Sequence, residues 1–188
     1  RVMAEKERKT VAYHELGHAI VAMEVDQSDP VHKISILPRG MALGYTLQLP
    51  IEDKYLISKT EIESQIKILM GGRIAEEIVF GEITSGASND IEKATELARN
   101  YICKFGMSNK LGTRQYGRDQ SQVFLGKSYS NHTQDFSDQT STVIDQEIQN
   151  LIDRCYQEST KILKKNLKKL TLLSEYILDK EIIEGDEF

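Results

Sequence analysis

The chain has 188 residues, 39% hydrophobic and 28% charged, which are the proportions of an ordinary globular protein with enough length for one sizeable domain. Its formal net charge of -5, without a basic stripe interleaved with aromatics, argues against a nucleic-acid surface. No apolar run approaches a membrane span, and Arg1-Val2-Met3-Ala4-Glu5-Lys6 is not a signal peptide, so the chain reads as soluble and, from its abrupt start, as a piece cut from a longer protein.

The first predicted element is a helix over Thr10 to Val25, uninterrupted by proline, capped by Thr10 or a nearby polar residue, with Ala12, Leu16, Ala19, Ile20 and Met23 as its buried stripe. Val31 to Leu37 alternates and is β-branched, Pro38-Arg39-Gly40 is a turn, and Tyr45 to Leu49 returns as a strand ended by Pro50. This is a small hairpin or sheet. Gly44 permits a close backbone approach, and an edge strand here serves either to cover the core or to receive an extended peptide.

A second helix starts near Thr60, where Thr60 and Glu63 have capping-box spacing, and runs to Gly81 as its C′ residue. Gly71 and Gly72 inside it, at about 1 kcal/mol each, point to tight helix packing. A third helix starts at Ser88 or Asn89 and stops at Gly106. Gly112 to Ser137 reads as a mobile surface loop around an apolar island at Val123 to Leu125. From Asp138 the pattern is helical, with a bend or break at Asn166, a short helical face from Leu170 to Ile177, and a tail from Glu181 to Phe188. The five lysines between Lys161 and Lys169 alternate with apolar residues at helical spacing and read as a solvated face. Cys103 and Cys155 form no C-x-x-C pair and read as reduced, buried small hydrophobes. The fold class is therefore mainly α with a small β-sheet or hairpin; because the first helix carries the H-E-x-x-H run His14-Glu15-Leu16-Gly17-His18 it is zincin-like, and a helical bundle follows it. One domain spans 1–188, with a metal-site half over 1–106, a surface loop region over 107–137 and a helical C-terminal half over 138–188.

The chemistry concentrates in His14-Glu15-Leu16-Gly17-His18, an H-E-x-x-H run on the first helix. Histidines four residues apart on a helix project from one face and can ligate one metal ion, while Glu15 can reach a water bound there as general base. A catalytic zinc takes a third protein ligand. Candidates are Glu76 and Glu77 on the second helix, Asp90 at the start of the third, His32 on the strand and His132 in the loop. One common class of zinc peptidase uses a downstream helical glutamate, and Asp90 is also explained by the dipole of its own helix. Spacing leaves the glutamates and Asp90 open. Gly126-Lys127-Ser128 imitates the end of a phosphate-binding loop but has Ser121 where that motif needs glycine, which excludes nucleotide binding here.

A wider set of segments resembles one family. Val11 to Ala19, Asp29-Pro30-Val31-His32-Lys33, Leu37-Pro38-Arg39-Gly40, Gly44-Tyr45-Thr46, Gly71-Gly72-Arg73-Ile74-Ala75-Glu76-Glu77 and Gly86-Ala87-Ser88-Asn89-Asp90 look like the peptidase domain of FtsH-type AAA proteases. So do Ala98-Arg99-Asn100, Phe105-Gly106-Met107-Ser108, Val123-Phe124-Leu125-Gly126 and Ile144-Asp145-Gln146-Glu147, in order across nearly the whole chain.

The resemblance implies one Zn²⁺ per chain held by His14, His18 and Asp90, with Glu15 as the catalytic base and Glu76 and Glu77 as residues that orient a ligand or support the helix. It implies an ATP-dependent zinc metalloendopeptidase whose AAA ATPase and N-terminal membrane anchor lie outside these residues, so that ATP acts only through that absent module. It also implies hexameric rings, substrates that are unfolded or damaged polypeptides, and a bacterial inner, mitochondrial or plastid membrane as the location of the full-length protein. Two alternatives are a proteolytically inactive assembly module of such a ring and a zinc hydrolase with a glutamate third ligand.

Overall fold

The computed structural model describes residues 3–117 and 134–188. Val123 to Leu125, Gly126 to Ser128 and His132 lie outside the described residues. Among the described residues, five α-helices occur in the order α1 (Glu5–Glu24), α2 (Lys59–Phe80), α3 (Ser88–Arg99), α4 (Asp138–Lys165) and α5 (Leu167–Lys180). Three short strands, β1 (Val31–Ser35), β2 (Tyr45–Gln48) and β3 (Ile182–Glu184), form one antiparallel sheet in the order β2-β1-β3. The mainly helical class with a small sheet is what the sequence reading expects. Among the described residues, no helix is long and apolar enough to cross a membrane.

The centre of the molecule is α1, which packs against α2, α4, α5 and both strands of the hairpin. Every residue from Val11 to Ala22 is consequently buried, including the polar ones, rather than one stripe of them. Met23 is a correction: it is 44% exposed, one residue past this buried stretch. The helix also starts earlier than its caps suggest. Ala4 occupies the N-cap without a side-chain bond, and Thr10 lies in the second turn, donating its hydroxyl to the Lys6 carbonyl at 3.0 Å.

Helix α2 opens with a capping box made by Ser58 and Glu61, not by Thr60 and Glu63. Glu63 instead points across the bundle, accepting from the Tyr101 hydroxyl at 2.8 Å and from both terminal nitrogens of Arg154 at 3.2 Å. Burial raises the affinity of Glu63 for a proton, but those hydrogen bonds outweigh it and hold its pKa below the ordinary value. Gly81 ends α2 in the left-handed conformation at φ 65. A 3₁₀ turn at Ser85–Ala87 precedes α3, which passes into a π-helical turn at Asn100–Lys104 before Gly106. Helix α3 starts at Ser88, as the sequence predicts, with Ala87 at its N-cap and no side-chain cap. Asn166 breaks the long C-terminal helix into α4 and α5 as its position predicts.

The tail is the largest addition to the sequence reading. Ile182–Glu184 pairs with β1, making three strands from the expected two, and buries Ile183 beside Ile34. Cys155 is buried and Cys103 partly buried, both free thiols. Burial pushes the Cys155 thiol up to about 11, the mark of an inert core sulfur.

Helices α1 and α2 touch backbone to backbone where Gly17 meets Gly71. A Cβ on Gly17 would overlap the Gly71 carbonyl oxygen and stand 2.7 Å from Ala75 Cβ, and one on Gly71 would stand 2.7 Å from the Gly17 carbonyl oxygen. Such overlap can be relieved only by parting the helices. Gly17→Ala is accordingly expected to destabilise the fold by about 3 kcal/mol or more despite the better helix propensity of alanine. Chemical denaturation measures this, and an unchanged unfolding midpoint would refute the close crossing.

Candidate metal centre

The close crossing sets the side chains of α1 against the backbone and side chains of α2. His14 and His18 are each 8% exposed, on one face of α1, with their Nε2 atoms 3.0 Å apart. Their other ring nitrogens are both engaged. The His18 Nδ1–H donates to the Ile68 carbonyl at 2.7 Å, and the His14 Nδ1–H donates to Glu76 Oε1 at 2.6 Å. A carbonyl can only accept, so it selects the tautomer that leaves the Nε2 lone pair of His18 free, and Glu76 does the same for His14.

Asp90 arrives from α3. It is the third residue of that helix, where the helix dipole favours a negative charge, and its Oδ2 lies 3.1 Å from His14 Nε2 and 3.3 Å from His18 Nε2. The ligand atoms of His14, His18 and Asp90 all lie within 4.8 Å of one another, the one such group among the described residues. Two imidazole nitrogens and a carboxylate oxygen so placed could hold a metal ion, and they are donor types that zinc takes. Two lone pairs at that separation repel unless an electrophile lies between them, so the chemistry of the set fits a cation.

The charges agree. Burial alone would lower the pKa of His14, but hydrogen bonds to Asp90 and Glu76, aided by the charge of Glu15, carry it up to about 9. Burial works against ionised Asp90 as well, and the two imidazoles outweigh it, holding the carboxyl well below its usual range. Glu76, 1% exposed, is likewise held below its ordinary value by His14 and Thr84 in spite of its burial. A site this rich in buried carboxylate stabilises positive charge, whether a proton on His14 or a metal ion competing with that proton.

Of the glutamates considered from spacing, Glu76 meets the far nitrogen of His14 rather than the Nε2 pair, and its Oε2 accepts the Thr84 N–H at 3.0 Å. It thereby ties α1 to the turn that delivers Asp90. Glu77 instead accepts from the Tyr156 hydroxyl on α4, away from the histidines. His32 is exposed on β1. Glu15, 8% exposed, lies beside the pair and is contacted by Thr46 of β2 at 3.0 Å.

Two participants escaped the sequence reading. The Ile68 carbonyl is backbone, which leaves no trace in residue identity. Gly72 does leave one: a Cβ there would sit 2.5, 2.6 and 2.7 Å from Nε2, Cε1 and Cδ2 of His14. Its neighbour Gly71 serves helix contact, but Gly72 makes room for an imidazole.

The model of peptidase family M41 matches residues 1–188. The chain is 49% identical over 186 residues to the ATP-dependent zinc metalloprotease FtsH of Magnetococcus marinus, covering 99% of this chain and 28% of that protein. It is 48% identical over 188 residues to the protein of the same name from Thermotoga maritima, covering 100% of this chain and 31% of the other. The corresponding values for Bacillus subtilis are 47% over 188 residues, 100% and 29%. The chain thus spans about a third of the length of these relatives.

Two substitutions separate the carboxylates. Asp90→Asn removes the anionic donor facing both Nε2 atoms and is expected to leave less than one zinc per chain after repletion and gel filtration. Glu76→Gln acts only on the far nitrogen of His14 and is expected to weaken zinc by about 10–100-fold. Undiminished zinc binding by the Asp90→Asn protein would move the third donor elsewhere. Gly72→Ala, which improves helix propensity by about 1 kcal/mol, is expected to cost zinc affinity through the displaced His14 ring. A chelator-competition titration reads both effects.

Proposed function

The chain belongs to peptidase family M41, and on that footing we propose that it is the peptidase domain of an ATP-dependent zinc metalloprotease, with zinc held by His14, His18 and Asp90 and Glu15 as the general base. The observation that carries this reading is the convergence of three ligand atoms within 4.8 Å, with the far nitrogens of both histidines already hydrogen-bonded. An assembly module without chemistry has no use for that arrangement, and a glutamate third ligand is disfavoured because Glu76 is engaged at Nδ1 of His14 and Glu77 at Tyr156.

Zinc held by His14, His18 and Asp90 would supply Lewis acidity, the property that makes water nucleophilic near neutral pH and offsets negative charge on a carbonyl oxygen. The chain's own residues supply the rest. Glu76 and the Ile68 carbonyl hold a proton at Nδ1 of His14 and His18, which directs Nε2 of each toward the metal, His14 on giving up the proton with which the metal competes. Glu15 takes a proton from the attacking water and returns it to the leaving amine. Among the described residues β2 is an outer strand of the sheet, next to Glu15 through Thr46, and an extended polypeptide adding to its outer edge would run past the base.

The remainder of the reading follows the relatives and the family resemblance. Substrates are unfolded or damaged polypeptides delivered by an attached ATPase, the chains assemble as hexamers, and the full protein is anchored in a membrane. ATP acts only on that ATPase. The domain alone should therefore cleave unstructured peptides and spare folded proteins.

Glu15→Gln is expected to retain one zinc per chain and to lose about 10²–10⁴-fold in kcat on an unstructured peptide. Chelation of the wild-type protein should abolish the same cleavage and zinc repletion restore it. Chelator-insensitive cleavage, or turnover by the Glu15→Gln protein near the wild-type rate, would overturn the assignment.

A further inference from the structure

Strand β2 also touches Glu15 itself. The Thr46 hydroxyl lies 3.0 Å from Glu15 Oε2 and 2.9 Å from the Glu15 backbone carbonyl oxygen. The hydroxyl has one proton, which these two acceptors share, and among the described residues it gives the Glu15 carboxylate its single hydrogen bond.

Strand register explains why Thr46 faces α1. Thr46 is paired with Ile34 of β1, and paired residues share a face of the sheet. Ile34 is fully buried, so the pairing that seats it in the core also turns Thr46 inward, while Leu47, the next residue, is 37% exposed. A slip of one residue would aim the hydroxyl at solvent. The approach is close because Gly44 has no side chain. A Cβ there would stand 3.1 Å from Glu15 Cγ and 2.8 Å from both Val11 Cγ1 and the Ser35 carbonyl oxygen. The Glu15 side chain is thus bounded by backbone at its stem and held by a hydroxyl at its tip.

We propose that Thr46 is a positioning residue for Glu15: its hydroxyl holds Oε2 and so sets the rotation of the carboxylate, presenting Oε1 to the water it deprotonates. The inference rests on Glu15 being the base. A free glutamate carboxylate rotates broadly about its last torsion, and a base misplaced by about 1 Å can cost 10²-fold in rate. Holding one oxygen removes that freedom before substrate arrives. The hydroxyl acts only through Glu15.

The test uses the full-length, zinc-loaded protein and a fluorogenic unstructured peptide. Thr46→Val keeps the shape and strand preference of threonine and removes the hydroxyl. It is expected to lower kcat by about 10–100-fold with KM changed less than about threefold and zinc stoichiometry unchanged. Thr46→Ser should recover most of the loss. In the Glu15→Gln background, Thr46→Val should lower the residual rate no further, because the residue it positions is gone. A crystal structure of the metal-free Thr46→Val protein should contain the Glu15 carboxylate in a changed or divided orientation. Wild-type kcat in Thr46→Val, an equal loss in Val and Ser variants, or a rise in KM alone would overturn the proposal. If Thr46→Val fails to fold, Thr46→Ala is read by the same criteria. Retained turnover in Glu15→Gln alone would instead refute the base assignment beneath it, so the two failures are distinguishable.

Discussion

The contact on which the rest depends is the one between Gly17 and Gly71. Where each would carry a Cβ, the other helix presents its carbonyl oxygen, so α1 and α2 approach until their backbones touch. At that separation the imidazole of His18 reaches the Ile68 carbonyl and that of His14 reaches Glu76, both from α2. A wider crossing would leave two ring nitrogens without acceptors in a buried setting and free the tautomers to change. The glycine contact is at once a packing feature and the origin of the electronic state of the histidines.

Around that contact the protein collects charge at a depth where charge is costly. His14, Glu15, His18 and Glu76 are all buried, and Asp90 is partly so. Buried ions persist when each finds a partner, and here every carboxylate has one: Glu76 has His14 and the Thr84 N–H, Asp90 has both Nε2 atoms, Glu15 has Thr46. Glu76 links its helix to the turn before α3, so the element that delivers Asp90 is anchored through the same carboxylate that orients His14. The parts of the site hold one another in place.

Much of this was legible along the chain because it is local. Helical periodicity, Gly81 as a stop and Asn166 as a break all act within a few residues. Residue type alone marks Thr10 and Thr60 as caps, but Ala4 and Ser58 occupy the N-caps: a largely exposed first turn carries α1 beyond its apolar pattern, and Ser58 forms a local capping box with Glu61. The strand at Ile182–Glu184 is too short for a periodic signal and forms only because β1 offers it an edge. Glu63 carried capping-box spacing, but Arg154 and Tyr101 lie within its reach in the bundle.

The sequence by itself determined the histidine pair and the family. Helix geometry turns a spacing of four into one face, and an ordered set of motifs across nearly all of the chain is specific without coordinates. It could not decide among the carboxylates by spacing. Glu76 and Glu77 are adjacent, and Asp90 lies 76 residues from His14. Only the crossing of α1 with α2 and the entry of α3 determine which oxygen meets the Nε2 pair and which meets a far nitrogen. The role of Thr46 was equally hidden, because it depends on strand register, a relation between distant segments that no single segment encodes.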